Sequence, residues 1–249
     1  MAENNNGSCW DRFDRKSLLT FTGYKDRLPG VLGELDRIGM KGVNIRYNVP
    51  TPFDRVLLKY LPHTGDVARG GYFNCTMGHY FEIKTAYCLG CESCLVMEDD
   101  IRFLKDTDEI RKTVEALPDD FDIALFDMLA SNMGDCNPGT VRELRVSARV
   151  NDRWFRYGNM RSMACYAFSR KAMERFIWLH ECAATDPGIG CFRICDHFLD
   201  SRYQLPGANL YGAMENVAIQ KGSPDSNSYS GDFVDIYGNM GLDLGRYAE

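Results

Sequence analysis

Apolar positions along the chain keep two rhythms, a short continuous run and a three-to-four residue repeat, and the two alternate. Leu18 to Thr22 (LLTFT) is a brief apolar, β-branched run that predicts a buried strand. In the next segment Val31, Leu32, Leu35 and Ile38 recur with helical spacing, Pro29 suits a first turn and Gly39 an exit. Val43 to Tyr47 predicts a second strand. Asn48 to Gly71 is rich in Pro and Gly and reads as loop, with one helical turn around Arg55 to Tyr60. From Thr76 a helical stripe returns through Met77, Tyr80, Ile83, Ala86 and Tyr87, with Gly90 as terminator. Ser93 to Met97 is a further strand, Asp108 to Leu117 a further helix ending at Pro118, and Phe121 to Phe126 another strand.

Strands separated by helices of this length imply parallel pairing, so the fold class expected is α/β, a single mostly parallel twisted sheet flanked by helices. In the C-terminal half, Leu144 to Val150 and Ser162 to Phe168 read as strands. The second feeds a helix capped by Ser169 and marked by Met173, Phe176, Ile177 and His180. After Gly207 the composition turns to Gly, Ser and Asp and predicts surface loops. Residues 1–16 read as a polar, frayed segment, and 17–249 as one domain, with halves of about 17–130 and 131–249.

Composition narrows the class. With 45% apolar and 12% aromatic residues, the 249-residue chain is not disordered. No run approaches the ~18–20 apolar residues of a membrane span, and MAENNNGSCWDRFDRK lacks the order of a signal peptide. A soluble, cytoplasmic protein is expected, with no transmembrane segment; peripheral contact with a membrane stays open. A net charge of -6 argues against nucleic acid as a partner. Ten cysteines, about 4% of the chain, fall short of the ~8–10% of a disulfide scaffold.

The most informative segment is LVMEDDIRF, where three carboxylates follow a central apolar strand. In open α/β sheets, ligands bind beyond the carboxyl ends of strands. On an extended chain Glu98 and Asp100 share a face while Asp99 points to the other, so the first two are placed to share a hard divalent cation, Mg²⁺ or Mn²⁺. The alternative is a solvated acidic turn.

NCTMGHYFEIKTAYCLGCESCLVMEDDIRFL resembles the lipooligosaccharide glycosyltransferases of glycosyltransferase family 25, in which a Gly-His element opens a helix and a strand ends in Glu-Asp-Asp-hydrophobic. FTGYKDRLPGVLGELDRIGM is similar to that family's opening strand, Asp-Arg loop and helix, and MACYAFSRKAMERFI to its Tyr-containing strand and Ser-Lys-Ala helix. ICDHFLD resembles its late acidic position. The resemblance spans about residues 18 to 200. It implies a GT-A-like, metal-dependent hexosyltransferase, inverting in outcome, that takes a nucleotide-diphospho-sugar such as UDP-galactose or UDP-glucose. The acceptor it implies is a glycan or glycolipid of the bacterial lipopolysaccharide type.

Carried over by position, Glu98 and Asp100 stand where the metal-binding acids stand, and Asp99 faces ribose or sugar. Arg27 and His79 match the loop Arg and helix-start His. Lys25 and Arg27, in a strand-to-helix loop, would offset charge gathering on the departing diphosphate, or they are solvated surface cations. Inversion needs a group that takes the acceptor's proton. Asp196 is the first candidate and Asp127 the second, although Asp196 also suits a helix cap, and His197 is a further metal ligand candidate. His79 either donates to a phosphate or caps its helix. Tyr166 and Arg161 line an acceptor cleft or, for Tyr166, belong to the core. Gln220, Lys221, Ser223, Ser226 and Ser228 form a lid or an ordinary loop.

The cysteines support a rival reading. Cys88-x-x-Cys91-x-x-Cys94 has the opening rhythm of an iron–sulfur run, and Cys191 and Cys195 would complete a zinc site with Cys88 and Cys91. A zinc or iron–sulfur regulatory protein is thus one alternative, and small buried thiols are the plainer one. A nucleotide-sugar-binding protein without activity is another. Asn74-Cys75-Thr76 is formally a glycosylation sequon.

Overall fold

The computed structural model describes residues 7–48, 71–127, 129–130, 146–157, 160–161, 163–185 and 207–220. The strands are β1 (Arg15–Phe21), β2 (Val43–Asn48), β3 (Ser93–Glu98), β4 (Ile101–Phe103), β5 (Ile123–Leu125), β6 (Leu129–Ala130), β7 (Val146–Arg149), β8 (Trp154–Tyr157), β9 (Met160–Arg161), β10 (Cys165–Ser169), β11 (Leu210–Ala213) and β12 (Ala218–Gln220). The α-helices are α1 (Leu28–Arg37), α2 (Gly71–Cys88), α3 (Thr107–Glu115) and α4 (Arg170–Thr185), and two 3-10 turns precede them, Cys9–Arg12 and Thr22–Arg27.

Eight strands form one sheet in the order β2-β1-β3-β10-β5-β11-β8-β7. Six of them run one way, and β8 and β10 run against them. The expected mixed α/β architecture is therefore present, with two antiparallel strands in it: β10 between β3 and β5, and β8 between β11 and β7. Two-residue periodicity sorts the core. Leu95 and Met97 of β3 and Cys165 and Ala167 of β10 belong to one apolar cluster, together with Val31 and Leu35 of α1 and Ile110 and Val114 of α3. Cys94 and Val96 of β3 and Tyr166 and Phe168 of β10 face the other cluster, with Ile83 of α2 and Met173 and Phe176 of α4. The sheet is thus covered on both faces, which is why its strands read as continuous apolar runs.

The helix ends follow local chemistry. Gly39 after α1 and Gly90 after α2 take φ +67 and +80, the left-handed conformation that favours glycine. Asp106 caps α3 by accepting the Glu109 N–H at 2.9 Å.

Two expectations are corrected. The polar opening is not frayed from Ser8 onward: Trp10 is fully buried, its indole donating to the Ile38 carbonyl at 3.3 Å and its ring packing on Phe103 and Phe126. Nor does the chain after Gly207 only form loops, because β11 lies inside the main sheet between β5 and β8, and β12 pairs with β4. Both strands are too short, and β11 too interrupted by Gly212, to register as apolar runs. The expected turn around Arg55 to Tyr60 lies outside the described residues.

Candidate functional site

The strand order places the site. The chain goes from β1 outward to β2 and then returns to the other side of β1 for β3, so the direction of winding reverses between β1 and β3. At such a reversal the connections leave the sheet in opposite directions and open a crevice beyond the carboxyl ends of the two strands. Thr20 lies near the carboxyl end of β1 and Arg27 closes the 3-10 turn after it, while Glu98 ends β3 and Asp99 and Asp100 follow it.

Glu98 shares its strand parity with Cys94 and Val96 and pairs in register with Leu19, so it faces α2. Its Oε1 lies 2.9 Å from His79 Nε2 and accepts from the Cys75 thiol at 3.3 Å. Cys75 and His79 are one helical turn apart on α2 and therefore present to the same place. The other ring nitrogen of His79, Nδ1, is 2.9 Å from the Tyr166 hydroxyl, and both His79 and Tyr166 are fully buried. Close approach of α2 to β2 is needed here. A Cβ on Gly78 would stand 2.1 Å from Asn48 Nδ2, so a larger residue there requires the Asn48 side chain to move.

Beyond Glu98 the chain turns before entering β4. Asp99 accepts from Thr20 Oγ1 at 2.5 Å and lies 3.5 Å from Arg27 Nη1. Asp100 Oδ2 is 3.7 Å from the same guanidinium nitrogen. Pairing of β12 with β4 sets Gln220 opposite Ile101, and the Gln220 amide donates at 3.1 Å to both Glu98 Oε2 and Asp100 Oδ2. Glu98 and Asp100 thus converge on one point, while Asp99 turns away toward β1. Asp100 Oδ1 is buried without a hydrogen-bond partner among the described residues.

Electrostatics follow from this crowding. Burial, and then the neighbouring Glu98 carboxylate, push the Asp100 carboxyl up to about 8, against the pull of Gln220 and Arg27. Asp99 is also raised, by burial first, with Thr20 and Arg27 opposing. Asp99 and Asp100 expose only 7% and 9% of their surface, which overturns the solvated acidic turn. The cluster is short of positive charge, and protons or a cation must supply it.

The remaining expected residues divide. Lys25 is exposed on the loop after β1, while Arg27 reaches the acids. His79 does not start a helix: α2 begins at Gly71, and both ring nitrogens are engaged inside the protein, so neither a cap nor a direct phosphate contact describes it. Asp127 is fully buried, and its Oδ1 accepts the Cys165 N–H at 2.8 Å, continuing the β5–β10 ladder past its end. Tyr166 belongs to the core rather than to a cleft. Asp196, His197, Cys191, Cys195, Lys221 and the serines after it lie outside the described residues, as does the side chain of Arg161. Cys88 ends α2 exposed, Cys91 is half-buried beyond it and Cys94 is buried in β3, so the three thiols do not converge. Among the described residues, the group that meets metal-ligand spacing is Cys75, His79 and Glu98.

Reading the sequence missed Thr20, Cys75 and the bridging role of Gln220. The Cys75-x-x-x-His79 spacing carried a usable signal for one of them, although the predicted helix opened only at Thr76; nothing in the sequence pairs residue 220 with residue 100.

No protein-family model matches the chain, and no curated protein matches it. Among solved structures it is similar to mannose-1-phosphate geranyltransferase from Thermus thermophilus, at 12% identity and TM-score 0.41 over 80% of this chain and 72% of that one. It is similar also to the galactosyltransferase LgtC in complex with donor and acceptor sugar analogues, at 11% identity and TM-score 0.37 over 73% and 68%. A third is mouse xyloside xylosyltransferase 1 in its apo form, at 9% identity and TM-score 0.33 over 74% and 80%. All three are transferases by name. At such scores the functional reading rests on the site itself. No helix among the described residues is long and apolar enough to cross a membrane.

Proposed function

We propose that the chain is a metal-dependent glycosyltransferase, of the family 25 type, that moves a hexose from a UDP-sugar to a hydroxyl of a glycan or glycolipid with inversion. One observation carries the reading: at the winding reversal of the sheet the Glu98 and Asp100 carboxylates converge at the end of β3, with Arg27 beside Asp100 and one buried oxygen of Asp100 without a hydrogen-bond partner among the described residues. That donor set fits a hard divalent ion, since Glu98 Oε2 and Asp100 Oδ2 already meet at one amide and Asp100 Oδ1 awaits a partner.

Glu98 and Asp100 would hold Mn²⁺ or Mg²⁺, which when bound supplies positive charge against the leaving diphosphate. Arg27, fixed beside both aspartates, adds a guanidinium on the same side, and Lys25 offers an ammonium from the loop before it. Thr20 and Arg27 hold Asp99 in one orientation, from which it accepts from the ribose or sugar hydroxyls. As the C–O bond to the diphosphate breaks and the anomeric carbon gains positive charge, the acceptor hydroxyl attacks from the opposite face. Asp196 takes its proton.

The test is a thermal-shift and turnover assay with UDP-glucose and UDP-galactose, with and without Mn²⁺. A melting point raised by nucleotide sugar only when Mn²⁺ is present, with slow release of UDP that vanishes in Asp100→Ala, is expected. Turnover by Asp100→Ala that ignores the metal would refute the assignment.

A further inference from the structure

We propose that Cys75, His79 and Glu98 form a zinc site of their own, next to the acidic cluster and joined to it through the Glu98 carboxylate. The ligand atoms, Cys75 Sγ, His79 Nε2 and a Glu98 oxygen, lie within 4.8 Å of one another. A thiolate, an imidazole and a carboxylate suit Zn²⁺, whose three-protein-ligand sites leave a fourth position for water or another ligand. With a thiolate and a carboxylate, the dication's charge is balanced inside the protein, as a buried site requires.

Two further observations point the same way. His79 is fully buried and its Nδ1 lies 2.9 Å from the Tyr166 hydroxyl, a partner that can accept from Nδ1–H once an ion takes the place of the proton on Nε2. Glu98 also divides its oxygens: Oε1 faces Cys75 and His79, and Oε2 faces Gln220 and Asp100. Zinc at Oε1 therefore leaves Oε2 aimed at the acidic cluster. Loading expels the proton that the Cys75 thiol now donates to Oε1. The neutral imidazole then carries its proton on Nδ1 instead of Nε2, and that Nδ1–H donates a hydrogen bond to the Tyr166 oxygen.

The site does not depend on the transferase reading, and the experiment separates the two. The full chain is stripped with a chelator and titrated with Zn²⁺, and in parallel with Co²⁺ as a spectroscopic substitute. Expected are about one Zn²⁺ per chain and a thiolate-to-cobalt charge-transfer band. The band persists in Asp100→Asn and disappears in Cys75→Ala. Tyr166→Phe keeps the band but binds about 10–100-fold more weakly. Near-UV circular dichroism establishes that each variant is folded; if Cys75→Ala is not, the Tyr166→Phe affinity decides. Absence of stoichiometric zinc, a band that survives Cys75→Ala, or an unchanged Tyr166→Phe affinity overturns the site. Zinc bound with this signature but no response to UDP-sugar and Mn²⁺ sinks the transferase reading alone.

Discussion

Replacing His180 by phenylalanine tests the packing between α2 and α4 through its acid sensitivity. His180 is 9% exposed, and it lies between Phe176, with ring centroids 4.1 Å apart, and Tyr80, at 5.9 Å. Its Nδ1 donates to the Phe176 carbonyl at 2.8 Å, which fixes the neutral tautomer. Burial, the largest cause, lowers the imidazole from 6.5 to about 4 against that hydrogen bond, and the nearby His79 lowers it further. Because the folded value lies below the unfolded one, the unfolded chain takes up the proton first as pH falls. Stability is therefore fully present above pH 6.5 and is lost on the way down to pH 4. At ~1.4 kcal/mol for each tenfold rise in proton concentration, the loss from this residue is about 0.8 kcal/mol at pH 6, about 2 kcal/mol at pH 5 and about 3 kcal/mol at pH 4. Urea unfolding of wild type and His180→Phe between pH 7 and pH 4 isolates it, since the contributions of carboxyls elsewhere cancel in the difference. A ring persists against Phe176 in the variant, so its profile falls less steeply by those amounts. Parallel profiles would mean that His180 is hydrated or already charged in the fold, and would refute the reasoning.

Asp100→Asn removes a carboxyl held against burial and its neighbours, so the metal-free variant should melt higher than wild type while losing all stabilisation by Mn²⁺ with UDP-sugar. For wild type, that stabilisation reaches ~2.7 kcal/mol at a hundredfold excess over Kd, measured by differential scanning fluorimetry. Gly78→Ala forces a methyl group onto Asn48 and should cost about 1–3 kcal/mol, read from the urea midpoint. Trp10→Ala empties a fully buried site between Phe103 and Phe126 and should cost about 3–5 kcal/mol in the same measurement; a loss under about 1 kcal/mol would return the first residues to the solvent.

What could be read ahead of the structure was what local rules decide. The strands at Leu18, Val43, Ser93 and Phe121 and the helices closed by Gly39 and Gly90 follow from periodicity and glycine conformation, and they sit where expected. The acidic tip of β3 was legible because a central strand ending in three carboxylates is chemically uncomfortable without a partner. Missing were features set by contacts distant in sequence. Trp10 sits in a polar neighbourhood and is buried by residues about a hundred positions away. β11 and β12 are four and three residues long, and their place depends on edges offered by β5, β8 and β4. The antiparallel direction of β10 likewise has no trace in its own sequence, since a strand buried on both faces reads alike in either direction. His79 shows the same limit at the site: a Gly-His pair suggests a helix start, whereas α2 begins eight residues earlier and carries the imidazole into the interior.

The position of β11 governs the order in which the molecule can be completed. Residues 210–213 fill the slot between β5 and β8, which themselves lie more than eighty and more than fifty positions upstream. A nascent polypeptide leaving the ribosome can finish the β2-β1-β3 corner early, yet the outer ribbon of β7 and β8 has no neighbour to dock on until the late strand emerges. Closing so large a loop late makes for slow maturation. Translation that stops before residue 210 would release a half-sheet with a bare hydrogen-bonding margin at β5, the kind of edge on which chains aggregate.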